Sequence, residues 1–254
     1  MKVIIVLPAY NAERTLEATW NEIPASFRSH TLLVDDASTD KTVSLARSLG
    51  IEVIRHRTNK GYGANQKTCY REALRRGADV VAMLHPDYQY DGTRLPALID
   101  PILRGDADLV LGSRLRHGRG LARQMPWWRY VGNRFLTYCQ NTVYSQILSE
   151  YHTGFRAFHA HFLRASRFEE NADGFLFDQQ ILAQAIVGRF RIAEIAVGCR
   201  YFDDVSSIDL PTALRYGFGS IELLFQYLIH QRRPDCYAYL APRLPREGGE
   251  NEEP

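Results

Sequence analysis

Two short apolar runs near the start of the chain each break abruptly into polar residues. Val3-Ile4-Ile5-Val6-Leu7 gives way to Pro8-Ala9-Tyr10-Asn11, and Leu32-Leu33-Val34 to Asp35-Asp36-Ala37-Ser38-Thr39-Asp40. Runs that are apolar throughout, rather than alternating, predict strands buried on both faces, as in a parallel sheet. Between them Leu16, Trp20 and Ile23 recur at helical spacing and predict a helix over residues 12–27. The alternation continues with a helix over 42–49 closed by Gly50, a strand over 51–54, a helix over 64–76 closed by Gly77, and a strand over 80–84 that enters His85-Pro86-Asp87-Tyr88-Gln89-Tyr90. A helix over 95–103, a strand over 108–112, a helix over 131–148 and a late strand over 192–197 follow. This order predicts an α/β fold: a doubly wound, mostly parallel sheet flanked by helices. Such sheets bind ligands at the carboxyl ends of their strands, which puts Tyr10, Glu13, Asp35 and Asp36 along one crevice.

Two stretches depart from this rhythm. Residues 115–129 turn to Arg, Gly and His with Trp127-Trp128, which predicts a mobile loop. From Pro211 onward Leu214, Phe218, Ile221, Leu224, Phe225, Leu228 and Ile229 recur at helical spacing, and the chain closes in Arg, Pro, Gly and Glu. The expected organisation is an α/β domain over 1–209, an amphipathic C-terminal helix over 210–235 and a flexible tail over 236–254, with no internal repeat. Apolar side chains and Tyr216 and Tyr227 cover more of that helix than a single buried face needs. With Arg215, Arg232 and Arg233 at its flanks, it is expected to pack on the domain, to pair with a second copy in a homo-oligomer, or to lie on a membrane surface as a peripheral contact.

Composition narrows the picture by exclusion. A net charge of +2, from 31 basic and 29 acidic residues, gives no footprint of nucleic-acid binding. No segment reaches the ~18–20 uninterrupted apolar residues of a membrane span, and the first apolar run ends too soon for a signal peptide. The expected location is therefore the cytoplasm, at the inner face of the membrane if the C-terminal helix lies on lipid. Cys69, Cys139, Cys199 and Cys236 are far apart and include no C-x-x-C pair, so reduced thiols are expected rather than a disulfide framework or a zinc site.

Pro8-Ala9-Tyr10-Asn11-Ala12-Glu13 and Val34-Asp35-Asp36-Ala37-Ser38-Thr39-Asp40 together resemble the opening of the family 2 glycosyltransferases, inverting enzymes of the GT-A fold. Asn59-Lys60-Gly61, Gly112-Ser113-Arg114 and Thr153-Gly154-Phe155-Arg156 follow in the order and spacing of the dolichol-phosphate mannose synthase branch, so the resemblance covers residues 1–208. It implies a nucleotide-sugar donor and a divalent metal, Mn²⁺ or Mg²⁺. Transfer from a nucleotide diphosphate needs the charge on the leaving pyrophosphate neutralised, which a metal on carboxylates with nearby cations can do. Where the family carries Asp-x-Asp and then Gln, this chain has His85-Pro86-Asp87-Tyr88-Gln89. The resemblance makes Asp87, Gln89 and His85 the metal candidates, with His85 either a ligand favouring Mn²⁺ or a hydrogen-bonding group on the loop.

The same resemblance assigns Pro8, Tyr10, Glu13, Asp36 and Lys60 to the nucleotide, and Arg114 to the catalytic centre beside the transferred sugar. Asp35 could instead orient its loop, and Asn59-Lys60-Gly61-Tyr62-Gly63 reads equally as a glycine-permitted turn. Arg129 and Arg200 are candidates for the donor diphosphate or an acceptor phosphate, since guanidinium forks match phosphate oxygens. Ser207 stands where the branch has a phosphate-binding Lys. Asp173 and Asp178 are the candidate bases if the acceptor is a hydroxyl, with Asp178 either catalytic or complementing a helix dipole. The expected function is metal-dependent inverting transfer from a GDP- or UDP-linked sugar to a polyprenyl phosphate or other membrane-linked acceptor, lipid phosphate or saccharide. The alternatives are a catalytically weakened nucleotide-sugar-binding protein and a transferase acting on a hydroxyl. A sugar-nucleotide pyrophosphorylase would need a Gly-rich basic loop after the first strand, which Pro8-Ala9-Tyr10-Asn11 is not.

Overall fold

A computed structural model describes residues 1–116, 125–200 and 210–243. The core is a seven-stranded sheet with the order β3-β2-β1-β4-β6-β5-β7 among the described residues. Its strands are β1 (Val3–Ala9), β2 (Thr31–Asp35), β3 (Glu52–Arg55), β4 (Val80–Met83), β5 (Leu109–Ser113), β6 (Arg156–His159) and β7 (Ile192–Ala196). β1 pairs in parallel with β2 and β4, and β2 with β3. β6 is antiparallel to both β4 and β5 and separates them. β7 extends the sheet in parallel beyond β5.

Alternate residues of each strand feed opposite layers, the period-two consequence of pleating. Ile4, Val6, Leu32, Val34, Val81 and Met83 face one layer, whereas Ile5, Leu7, Leu33, Val80 and Ala82 face the other. The first layer is covered by α4 (Tyr62–Arg75), α6 (Trp127–Tyr144), α8 (Phe177–Val187) and α9 (Leu210–Arg232); the second by α1 (Leu16–Glu22), α3 (Thr42–Ser48) and α5 (Leu95–Leu103). Two short helices, α2 (Ala25–Arg28) and α7 (Ala160–Ala165), complete the set. β1, β2, β4 and β5 are buried on both faces, which explains their unbroken apolar runs. Each Leu, Ile or Val removed from water this way contributes about 1.5–3 kcal/mol.

Several boundaries differ from expectation. The helix expected over 12–27 divides because Ile23, which precedes Pro24, is extended (φ −67°, ψ 122°), as the proline ring requires of its neighbour. Trp127, Trp128 and Arg129, expected in a loop, form the first turn of α6, and that helix ends at Tyr144 because Ser145 is left-handed (φ 54°). Residues 117–124 of the expected loop, together with Ser207 and residues 244–254, lie outside the described residues. The expected tail does not begin at 236: a 3₁₀ segment, Pro234–Leu240, packs against the domain, with Leu240 fully buried. Gln184 donates to the Tyr239 carbonyl at 2.9 Å and Arg167 to the Ala241 carbonyl at 3.1 Å, which holds the chain there.

Candidate active site

The carboxyl ends of β1, β2 and β4 carry the candidate residues, and loop-to-loop hydrogen bonds fix their positions. Asn11 N–H donates to Ser38 Oγ (2.8 Å), Thr39 N–H to Asn11 Oδ1 (2.9 Å), Glu13 N–H to Asp40 Oδ2 (3.0 Å) and Lys41 N–H to Glu13 Oε2 (3.1 Å). Glu13 therefore joins the first two loops. Pro8 is buried within the sheet beside Val34, while Tyr10 keeps 53 % of its surface exposed at the rim.

The two adjacent acids at the carboxyl end of β2, Asp35 and Asp36, differ sharply. Asp36 accepts from His56 Nδ1 (2.7 Å) and from the backbone N–H groups of Lys60 and Gly61 (both 2.9 Å), so both its oxygens are used to hold the loop before α4. Asp35 accepts from Ser38 N–H (3.1 Å) and pairs with Arg55 (3.3 Å), both through Oδ2, while its Oδ1 is buried with no partner in the structure. An unfilled buried acceptor costs free energy unless a ligand supplies a donor. The exposed Lys60 side chain sits at the mouth of that loop. The α4 N-terminus offers no cradle for phosphate, because the Asp173 carbonyl accepts from Gly63 N–H (2.6 Å) and Ala64 N–H (3.3 Å). Gly63 permits this approach: a Cβ there would lie 2.8 Å from Phe177 Cβ.

The loop after β4 is held from several sides. Gln89 N–H donates to Asp87 Oδ1 (3.0 Å), Thr15 Oγ to the Pro86 carbonyl (2.6 Å), and Tyr88 is left-handed (φ 59°). Arg200 lies over the Tyr88 ring at 4.2 Å, pairs with Glu22 (2.7 Å) and donates its backbone N–H to the Gln89 carbonyl (2.8 Å). Burial pushes the Asp87 carboxyl up, opposed by His85 and by the Gln89 N–H. Burial pushes the His85 imidazole down, opposed by Asp87 and Asp178, so it is neutral near pH 7.

Behind His85 lies a buried polar chain. His85 Nε2 is 3.2 Å from the Tyr62 hydroxyl, which is 2.8 Å from Asp178 Oδ2. Asp178 Oδ1 accepts from Gln66 Nε2 (3.2 Å) and faces Arg156 Nη1 at 3.4 Å. Arg156 is fully buried and donates to the carbonyls of Thr153 (2.6 Å), Asp178 (2.9 Å) and Tyr151 (3.2 Å). Every oxygen of Asp178 is thus engaged. Arg114, expected beside the sugar, is clasped by the fully buried Glu150: its Nε (2.9 Å) and Nη2 donate to Oε1 and its backbone N–H to Oε2 (2.8 Å). Arg129 rests over Trp128 at 4.9 Å on α6.

The structure therefore gathers His85, Asp87, Gln89 and Arg200 around one loop and links Asp178 to it through Tyr62. It commits Asp36 and Arg114 to holding other parts of the chain. Glu150 carries no sequence signal; Tyr62 and Arg156 stand within quoted motifs without an assigned role, although Arg156 in a short segment between apolar residues is a signal of a buried ion pair. Among the described residues no three His, Cys, Asp or Glu side chains are placed to hold a metal ion by themselves. One imidazole and one carboxylate nevertheless fit a cation shared with a diphosphate, since Mg²⁺ and its analogues in nucleotide sites take one or two carboxylates, with phosphate oxygens and water supplying the rest.

Residues 4–167 match the family described as Glycosyl transferase family 2, and the chain belongs to that family. Its relatives include polyprenyl-phosphate sugar transferases. It is 24 % identical over 216 residues to the UDP-N-acetylglucosamine–dolichyl-phosphate N-acetylglucosaminyltransferase of Methanococcus voltae, covering 78 % of this chain and 86 % of that one. It is 28 % identical over 204 residues to the polyprenol monophosphomannose synthase of Mycolicibacterium smegmatis, covering 77 % and 76 %. It spans 64 % of the length of another relative, an uncharacterized protein of Methanocaldococcus jannaschii. The fold matches glucosyl-3-phosphoglycerate synthase from Mycobacterium tuberculosis, solved with Mn²⁺, UDP and glucosyl-3-phosphoglycerate, at a TM-score of 0.64 and 21 % identity over 89 % of this chain and 79 % of that one.

Proposed function

We propose that the chain is an inverting hexosyltransferase that moves a sugar from a GDP- or UDP-linked donor to a polyprenyl phosphate, with the β4 loop facing the donor diphosphate. The observation that carries this reading is Asp178, the candidate base linked to that loop through Tyr62, with both oxygens taken by Arg156, Tyr62 and Gln66. A hydroxyl acceptor must pass its proton to a base as it attacks, whereas a phosphate is already an anion. An acid held this way suits an acceptor that needs no base. The names of the dolichyl- and polyprenol-phosphate relatives point the same way.

On the donor side, the unfilled Oδ1 of Asp35 suits the ring N–H that uracil and guanine both present, and Tyr10 offers an exposed ring at the same rim. A divalent cation held by His85, Asp87 and the donor diphosphate would neutralise the charge that builds on the leaving pyrophosphate, and the imidazole favours Mn²⁺. Arg200, paired with Glu22, stacks on Tyr88 beside that loop.

A lipid-linked acceptor also fits the surface. Among the described residues no helix is long and apolar enough to cross a membrane. Yet α6 exposes Trp127, Val131, Phe135 and Tyr138 opposite its buried Asn133, Thr137, Gln140 and Tyr144, and α9 exposes Phe218 and Phe225. With Arg215, Arg232 and Arg233 on α9 and just beyond it, these stripes suit an anionic lipid surface.

The test is a thermal-shift screen of GDP-, UDP- and dTDP-sugars with Mn²⁺, followed by transfer assays with polyprenyl phosphate in micelles and with free saccharides. One donor should raise the melting temperature selectively, and label should pass to the polyprenyl phosphate. Transfer to saccharide hydroxyls alone would refute the acceptor assignment.

A further inference from the structure

We propose that Tyr62 is a positioning residue that holds His85 in its Nε2–H tautomer, so that Nδ1 carries the lone pair offered to a donor-bound divalent cation. The proposal rests on reading His85 and Asp87 as the cation-facing pair, and goes beyond it by naming the atom and what sets it.

The argument is a count of protons along the buried chain. A tyrosine hydroxyl has one proton to give, a carboxylate has none, and a neutral imidazole has one donor and one acceptor nitrogen. The far end of the chain fixes Asp178 as an acceptor. Arg156, fully buried, faces its Oδ1 at 3.4 Å, and Gln66 Nε2 donates to the same oxygen at 3.2 Å. Turned the other way, the Gln66 amide would set Oε1 against Asp178 Oδ1, acceptor against acceptor; as placed, its Oε1 accepts from the Tyr70 hydroxyl at 2.8 Å. The single Tyr62 proton therefore goes to Asp178 Oδ2, 2.8 Å away. Only lone pairs of the Tyr62 oxygen then face His85 Nε2 at 3.2 Å, and two acceptors do not hydrogen-bond, so Nε2 carries the ring proton. Nδ1 is left as the acceptor.

The ring itself is held. Tyr62 stacks on His85 with centroids 5.4 Å apart and planes 10° apart, and Phe175 packs on Tyr62 at 4.7 Å. Gly154 bounds the Cδ2–Nε2 edge beside the Tyr62 hydroxyl: a Cβ there would be 2.9 Å from His85 Cδ2 and 3.0 Å from Nε2. Metal-binding histidines generally donate their second nitrogen to an acceptor that fixes tautomer and orientation, and loss of that partner lowers metal affinity about 10–100-fold. Here the partner is a tyrosine whose own proton is directed by a carboxylate.

The test combines tautomer and affinity in the full chain. With ¹⁵N-histidine labelling, and His85→Asn used for assignment, the two-bond ¹H–¹⁵N spectrum of the metal-free protein should show His85 protonated at Nε2. In Tyr62→Phe, which keeps the stacked ring, the spectrum should shift to mixed tautomers. Mn²⁺ binding in the presence of UDP or GDP, followed by electron paramagnetic resonance, should weaken about 10–100-fold in that variant. A wild-type His85 protonated at Nδ1, or Mn²⁺ binding by Tyr62→Phe equal to wild type, would overturn the proposal while leaving a cation at Asp87 intact. Undiminished Mn²⁺ binding by Asp87→Ala would overturn both the proposal and the metal reading beneath it.

Discussion

Replacing Arg156 by Met tests how the buried chain behind the β4 loop is held together. The guanidinium is fully buried, its partner Asp178 is 10 % exposed, and the substitution keeps bulk while removing the charge and the donors to three carbonyls. Stranding one member of a buried ion pair costs about 3–5 kcal/mol. For a chain of this size each kcal/mol lowers the melting temperature by about 2–4 °C, so a fall of roughly 6–20 °C is expected. Asp178→Asn alone should cost a similar amount by stranding the arginine. The double variant removes both charges, and its loss should fall short of the sum of the single losses by about 1–3 kcal/mol. Urea denaturation with a common slope measures all four proteins. Single losses under about 1 kcal/mol, or strict additivity, would refute the claim that these groups form one buried pair. Asp178→Asn serves a second purpose: a base contributes about 10²- to 10⁴-fold to transfer, so at saturating Mn²⁺ and with donor binding unchanged, near-normal turnover in the folded variant supports a phosphate acceptor and a loss of that size points to a hydroxyl.

Gly154→Ala should press on the His85 ring, since its Cβ would lie 2.9 Å from Cδ2, and should weaken donor binding in calorimetry with Mn²⁺ present; unchanged affinity would show that the ring position is immaterial. Asp36→Ala removes the acceptor of His56, Lys60 N–H and Gly61 N–H, so amide exchange at 60–61 should accelerate, with a stability loss of about 2–4 kcal/mol; protection equal to wild type would contradict the stapling role. His152 is lowered to about 3 by burial and by Arg114 and Arg156. The unfolded chain takes up that proton near pH 6.5 and the folded chain only near 3, so its contribution is complete above about 6.5 and is lost as pH falls toward 3. His152→Gln should flatten the stability curve across that window, and parallel curves would exclude His152 as the source.

The parallel half of the sheet was legible because nothing but burial on two faces explains runs such as Ile4 to Leu7 or Val80 to Leu84, and the polar loops that follow mark the crevice. β6 was not legible as a strand. Its four residues include an arginine and a histidine, and Arg156 is tolerated in the interior only because Asp178, far along the chain, neutralises it. The site divided the same way. His85 and Asp87 follow directly from the loop after an apolar run, but the commitment of Arg114 to Glu150 is set by a contact 36 residues away that no local pattern carries. Asp35 and Asp36 are neighbours with opposite fates, decided by where the 60–61 backbone donates. The start of α6 was missed because Trp127 and Trp128 were read with the basic residues before them; the stripe Trp127, Val131, Phe135, Tyr138 has helical spacing but faces outward.

The antiparallel insertion of β6 also dictates an order of assembly. β4 and β5 are consecutive strands, yet neither bonds to the other, and the place between them is filled by residues 156–159. On a ribosome, β1 to β4 can pair as soon as they emerge, because each finds its neighbour among residues already made. β5 then waits for β6 and β7, and such long-range closures are slow because loop entropy is lost before contacts repay it. Pulse-labelled hydrogen exchange during refolding is therefore expected to protect the amides of β1 and β2 before those of β5, and simultaneous protection would refute this order. The half that carries the loops after β1, β2 and β4 would then exist before the strands that close the sheet, so under the proposed function a growing chain could hold a donor before it could use one.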